Sequence, residues 1–163
     1  MQPKFVELPE MKVIGVGARF ISILSPKKNN ATVIPKLWDQ FIKQMGQIRH
    51  KTGDVSLGLV EMLPENAGKG PSDELFYIAC TEVSEIDSLP PGMIHRVIPA
   101  GRYASFTHKG KLTGLEQTMN FIYRSWLPKG EVQLRDAPHL EWYDQRFNPG
   151  SDQSEFDILL PVK

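Results

Sequence analysis

The chain has 163 residues, with 19 Lys plus Arg balanced by 19 Asp plus Glu, so its formal net charge is zero and nothing in the totals argues for direct attraction to nucleic acid or to an anionic membrane surface. This length fits one domain, or two small halves sharing a core, and needs no disulfide or metal staple. The single Cys80 cannot close an internal disulfide and no apolar run reaches bilayer length, which together lead us to expect a soluble, cytoplasmic protein without a membrane partner.

Lys12 to Leu24, KVIGVGARFISIL, is β-rich and broken by Gly15 and Gly17; it predicts a first strand with a bulge or a close backbone approach. A polar loop follows over 25–31. From Ile34 to Ile48 the apolar residues Trp38, Phe41, Ile42, Met45 and Ile48 recur at steps of three and four, the signature of an amphipathic helix with Pro35 in its first turn. Val55 to Leu63 and Leu75 to Val83 read as two further strands. Cys80 lies in the last of these and reads as a small core residue.

Ser84 to Gly92 is a connector, after which the same order of elements returns. A strand pair spans Met93 to His108 and is interrupted at Ala100-Gly101. Thr113-Gly114-Leu115-Glu116 has capping-box spacing, and Leu115, Met119, Ile122 and Trp126 form the stripe of a second helix ending near Pro128. The stretch His139 to Asp144 and a strand from Phe156 to Val162 close the chain. Shifting the second half back by 80 residues lays Ile122 on Ile42, Glu141 on Glu61 and Ile158 on Ile78. We therefore expect one domain over 1–163, with approximate internal repeats at 5–83 and 93–163. The fold class expected is α+β: duplicated strand-helix-strand-strand units about a pseudo-twofold axis, with antiparallel sheets, two long helices and a central ligand cleft where the units meet.

The strand His139-Leu140-Glu141-Trp142-Tyr143 alternates so that Glu141 shares a face with His139 and Tyr143, while Leu140 and Trp142 point the other way. Two readings follow from this pattern. A carboxylate between aromatic rings can seat a cationic ligand, or it can be a solvated glutamate on an edge strand. Elsewhere the chemistry is thin. His50, His95, His108 and His139 have no metal-ligand spacing with Cys80 or with one another, Ser105 near His108 does not make a catalytic triad, and Gly15-Val16-Gly17 does not complete a phosphate loop. No metal or cofactor is expected.

The pieces Ile34-Pro35-x-Leu37-Trp38-x-x-Phe41, Ile98-Pro99-Ala100-Gly101-Arg102-Tyr103-Ala104, Tyr123-x-x-Trp126-Leu127-Pro128 and Leu140-Glu141-x-Tyr143-Asp144 together resemble the GyrI-like small-molecule-binding family. This family includes effector-binding domains of bacterial AraC-type and MerR-type regulators. The resemblance covers nearly the whole chain. It implies a cleft for bulky, lipophilic, often cationic compounds, with Glu141 facing the ligand. Trp38, Phe41 and Met45 on the first helix, with Tyr143, Trp142 and the repeat-related Glu61, are the further candidates; core packing is the competing role for Phe41 and Met45. Met1 to Lys12 is too short for a DNA-binding module, so the expectation is a stand-alone binding domain, a monomer or weak homodimer with no direct nucleic-acid contact. The same resemblance implies two alternatives. One is a hydrolase that opens strained electrophilic rings with Glu141 as general base, helped by Glu61 or Tyr143. The other is a gyrase-inhibitor-like partner protein.

Overall fold

The computed structural model describes all 163 residues. Eight antiparallel strands form one sheet, rather than several: β1 (Lys4–Leu8), β2 (Met11–Ile21), β3 (Lys51–Met62), β4 (Glu74–Val83), β5 (Ile94–Ile98), β6 (Gly101–Lys109), β7 (His139–Tyr143) and β8 (Glu155–Pro161), in the spatial order β1-β6-β8-β7-β3-β4-β2-β5. The succession β2, helix, β3, β4 and the succession β6, helix, β7, β8 thus have the same order, and β3 pairs with β7 where they meet.

Side chains alternate across a strand, so each face of the sheet gathers its own core. One face collects Met11, Val13, Leu57, Leu59, Ile78, Cys80, Ile98, Tyr103, Leu140 and Leu159, with Val6 and Leu8 of one edge strand and Ile94 of the other packed on the same cluster. Residues of both edges share a cluster because the sheet is curled, bringing its two ends toward each other. Cys80 is fully buried here and its Sγ–H donates to the Leu57 carbonyl at 3.4 Å. Gly15 serves a close approach without a bulge, since a Cβ at that position would overlap the Ala79 carbonyl on β4.

The opposite face carries the helices. Helix α1 (Asn30–Gln44) seats Leu37, Phe41 and the following Ile48 on Ile14, Val16, Phe20, Tyr77 and Ala79 of β2 and β4. Helix α2 (Leu115–Asn120) continues into a π-helical turn (Phe121–Trp126) and a short 3-10 turn (Leu127–Lys129). It packs Ile122 and Trp126 on Ala104, Phe106, Phe156, Ile158 and Leu160 of β6 and β8. Each helix thus covers one outer pair of strands. The central strands β3 and β7 lie under the seam between the helices.

Several local expectations need correction. α1 starts before Ile34, which puts Pro35 inside the helix rather than in its first turn. Ile42 is 61% exposed and leaves the buried stripe. The second helix reaches its expected length, ending at Lys129, but is irregular, α-helical only over Leu115–Asn120. Its capping box is not formed: no side chain caps α2, and the Glu116 carboxylate instead takes a hydrogen bond from Lys28 Nζ at 3.0 Å. The 80-residue register also slips. Leu59 pairs with Ile78 in the first half and Leu140 with Leu159 in the second, and both matches are 81 residues apart. A shift of one residue exchanges the two faces of a strand, so Glu61 and Glu141 point to opposite sides of the sheet.

Candidate functional site: a buried glutamate under the helix seam

β7 carries His139, Glu141 and Tyr143 on its helix-facing side, as the alternation predicts, and Glu141 sits opposite Gly58 of β3. Glu141 is not a solvated edge residue: it lies between β3 and β8 in the sheet and is only 6% exposed. Its Oε1 accepts two hydrogen bonds, from the Tyr77 hydroxyl at 2.6 Å and from the Tyr143 hydroxyl at 2.9 Å. Oε2 accepts none. The Tyr77 oxygen in turn accepts from Trp38 Nε1 at 3.0 Å, which ties α1 to the carboxylate through one intermediate.

Tyr77 was not singled out from the sequence, nor was Gly58, and the two act together. Tyr77 stands on β4 opposite Val60 of β3, so its ring must pass over β3 to reach β7. Glycine at 58 leaves the path open: a Cβ there would fall on the Tyr77 hydroxyl and on Glu141 Oε1. The available signal was the parity of β4, which puts Tyr77 with Ala79 on the face that α1 covers.

Aromatic rings enclose the carboxylate. Trp38 meets Tyr143 edge to face with centroids 5.6 Å apart and Tyr77 at 6.4 Å. Tyr143 stacks on Phe156 and is met edge-on by Phe147, both with centroids at 4.7 Å. Phe147 belongs to the β7–β8 loop, which Arg146 anchors through hydrogen bonds to Asp144 at 2.9 Å and Asp157 at 2.7 Å. Phe41 is fully buried and packs edge-on against Trp38. Met45 lies partly buried at the end of the same core. Two candidates stand apart. Trp142 faces the other side of the sheet, beside a concavity lined by Thr52, Val55, Leu57 and Glu82. Glu61 also points that way and pairs with Arg96 at 3.0 Å.

Burial pushes the Glu141 carboxyl above its ordinary range even though both phenols donate to it and oppose that shift. The same burial, with the charge of Glu141 added, holds the Tyr77 and Tyr143 hydroxyls well above their usual pKa. No Lys, Arg or His pairs with Glu141. Beyond it on the strand, His139 Nδ1 lies 2.6 Å from the Tyr123 hydroxyl and its ring stacks on Tyr123 with centroids 5.7 Å apart. Burial lowers the His139 pKa to about 4, so its imidazole is neutral at physiological pH.

A second acidic group lies elsewhere. His50, Glu85 and Asp87 cluster on the exposed surface, where Asp87 is already bonded to His50 at 2.8 Å and approached by Arg49 at 3.5 Å. No helix of the protein is long and apolar enough to cross a membrane.

The chain is similar to known proteins in both sequence and shape. The chain is 31% identical over 164 residues to the transcriptional regulator BrlR of Pseudomonas aeruginosa, covering 99% of this chain and 56% of BrlR. The chain spans about half the length of the curated relatives it matches. Its fold superposes on SAV2435 bound to tetraphenylphosphonium with a TM-score of 0.74 at 14% identity, covering 100% of this chain and 94% of that one. It also superposes on the EcmrR C-terminal domain with a TM-score of 0.64 at 19% identity, covering 99% of this chain and 97% of that one. The family model described as GyrI-like small molecule binding domain matches residues 1–163, and the chain belongs to that family.

Proposed function

We propose that this chain captures lipophilic cations in a cleft under the helix seam, with Glu141 as the charge-selecting group. One observation carries the reading: a carboxylate 6% exposed, held by two phenols and walled by aromatic rings, has no cationic partner from the protein. Leaving such a charge unpaired is costly, and a ligand cation is the complement that relieves it. Ring faces of Trp38, Tyr77 and Tyr143 add cation–π attraction, while most of the affinity comes from apolar contact, because desolvation consumes most of what an ion pair contributes. The tetraphenylphosphonium bound to SAV2435 is a cation of this chemistry and supports the choice of ligand class. The test is a titration of the protein with tetraphenylphosphonium, comparing wild type with Glu141→Gln; equal affinity in the two would remove Glu141 from the role.

A second reading uses the same carboxylate for ring-opening hydrolysis. It is favoured by the division of labour at Glu141, where Oε1 is engaged by both phenols and Oε2 is left to orient a water. Incubation with strained electrophilic ring compounds, followed by mass spectrometry for the product one water heavier, decides it. An unchanged substrate across the panel leaves capture as the whole function.

A further inference from the structure

His139 shares the strand face of Glu141 and stands two residues before it, which places their Cα atoms about 7 Å apart along β7. The His139 ring is held on both of its aspects: it stacks on Tyr123 at an interplanar angle of 11°, and its Nδ1 takes the Tyr123 hydroxyl at 2.6 Å. A phenol is a strong donor and a neutral imidazole nitrogen a strong acceptor, so the short bond runs from Tyr123 O–H to Nδ1 and leaves the ring hydrogen on Nε2. Nε2 has no partner in the protein, and it is not sealed off, since the only buried side-chain atoms without a bond belong to Gln44, Tyr103 and Arg135.

We infer that His139, oriented by Tyr123, is a hydrogen-bond donor for the ligand, so that the cleft prefers lipophilic cations carrying a carbonyl or ether oxygen about 7 Å from the positive centre. This rests on the reading of Glu141 as the cation site. Glu141 receives the positive end, the aromatic walls receive the body, and His139 Nε2–H receives the oxygen. A ligand lacking that oxygen still binds but leaves Nε2–H unsatisfied.

The experiment uses a matched pair, (4-benzoylbenzyl)trimethylammonium and (4-benzylbenzyl)trimethylammonium, which differ by a ketone in place of a methylene. Calorimetric titration of the wild type is expected to favour the ketone about fivefold, the return of one net hydrogen bond. His139→Phe is expected to abolish that preference, the two compounds then binding the variant equally. Equal affinity of the pair in the wild type, or a ketone preference that survives His139→Phe, overturns the assignment. Should His139→Phe not fold, the ¹⁵N shift of His139 Nε2 in the wild type gives the same answer: it must move with the ketone and stay with the methylene compound. Failure of both compounds to bind, with tetraphenylphosphonium also unbound, would instead overturn the cation site itself.

Discussion

The Tyr77 hydroxyl donates to Glu141 Oε1 at 2.6 Å across an intervening strand, and it can do so because that strand carries glycine at position 58. β4, β7 and α1 are thereby joined at one carboxylate, since Tyr77 also accepts from Trp38.

Gly58→Ala places a methyl where the Tyr77 hydroxyl and Glu141 Oε1 now sit. Fully buried backbone and rings leave little room to yield, so the substitution is expected to cost about 1–3 kcal/mol of folding stability. Ligand affinity should fall with it, because either Tyr77 or Glu141 must move. Urea denaturation together with a tetraphenylphosphonium titration measures both.

Tyr77→Phe removes a donor from Glu141 and the acceptor of Trp38 Nε1 in one step. Tyr143→Phe removes a donor only. Stability should drop by about 1–3 kcal/mol for Tyr77→Phe, the cost of stranded buried groups, and by less for Tyr143→Phe. Chemical denaturation of both variants in one buffer tests the order, which should reverse only if the Trp38 bond contributes nothing.

The pH dependence has two parts of opposite sign. Glu141 has a folded pKa raised above its ordinary 4.5, so above that pH the folded state holds more protons at this site than the unfolded state. Its contribution to stability therefore falls as pH rises from about 4.5 through the folded pKa. His139 is lowered from 6.5 to about 4; between those values the unfolded state binds more protons, so its contribution is lost as pH falls from 6.5 toward 4. Glu141→Gln should then steepen the acid loss of stability between pH 4.5 and 6.5 relative to wild type, and His139→Phe should flatten it, as thermal melts across that range will record.

Arg146 ties the β7–β8 loop to Asp144 and Asp157, and the next residue, Phe147, lies on Tyr143. The guanidinium is one-third exposed, so screening limits its effect on stability to about 1 kcal/mol for Arg146→Gln. A larger consequence is expected for binding, as loosening Phe147 frees the Tyr143 ring that bonds Glu141. A stability loss without any change in tetraphenylphosphonium affinity would show that this loop is no part of the cleft.

Much of this site could be read from single segments. The alternation of His139 to Tyr143 put Glu141 and Tyr143 on one face, and helical spacing put Trp38 and Phe41 on the inner side of α1. What escaped was made by pairing between distant segments. Tyr77 reaches Glu141 only because β3 separates β4 from β7 and is bare at Gly58, and neither strand order nor register is written in any one stretch. The misplacement of Glu61 has the same root. An 80-residue offset aligned residue types well, yet the strands match at 81, and one residue is enough to move a side chain to the far face. Ile42 failed for a narrower reason: it lies about 100° around the axis from Phe41, the middle of the buried stripe, whereas Leu37 and Trp38 lie only about 40° and 60° to either side of it.

The account stands on the claim that Glu141 selects positive charge. Titration of wild type and Glu141→Gln with tetraphenylphosphonium at neutral pH, and again near pH 5, tests it most directly. The expected result is an affinity at least about tenfold weaker in Glu141→Gln at neutral pH, the loss of about 1.4 kcal/mol or more, with wild-type affinity weakening on acidification and the variant indifferent to pH. Equal affinities, or the same pH dependence in both proteins, would contradict it.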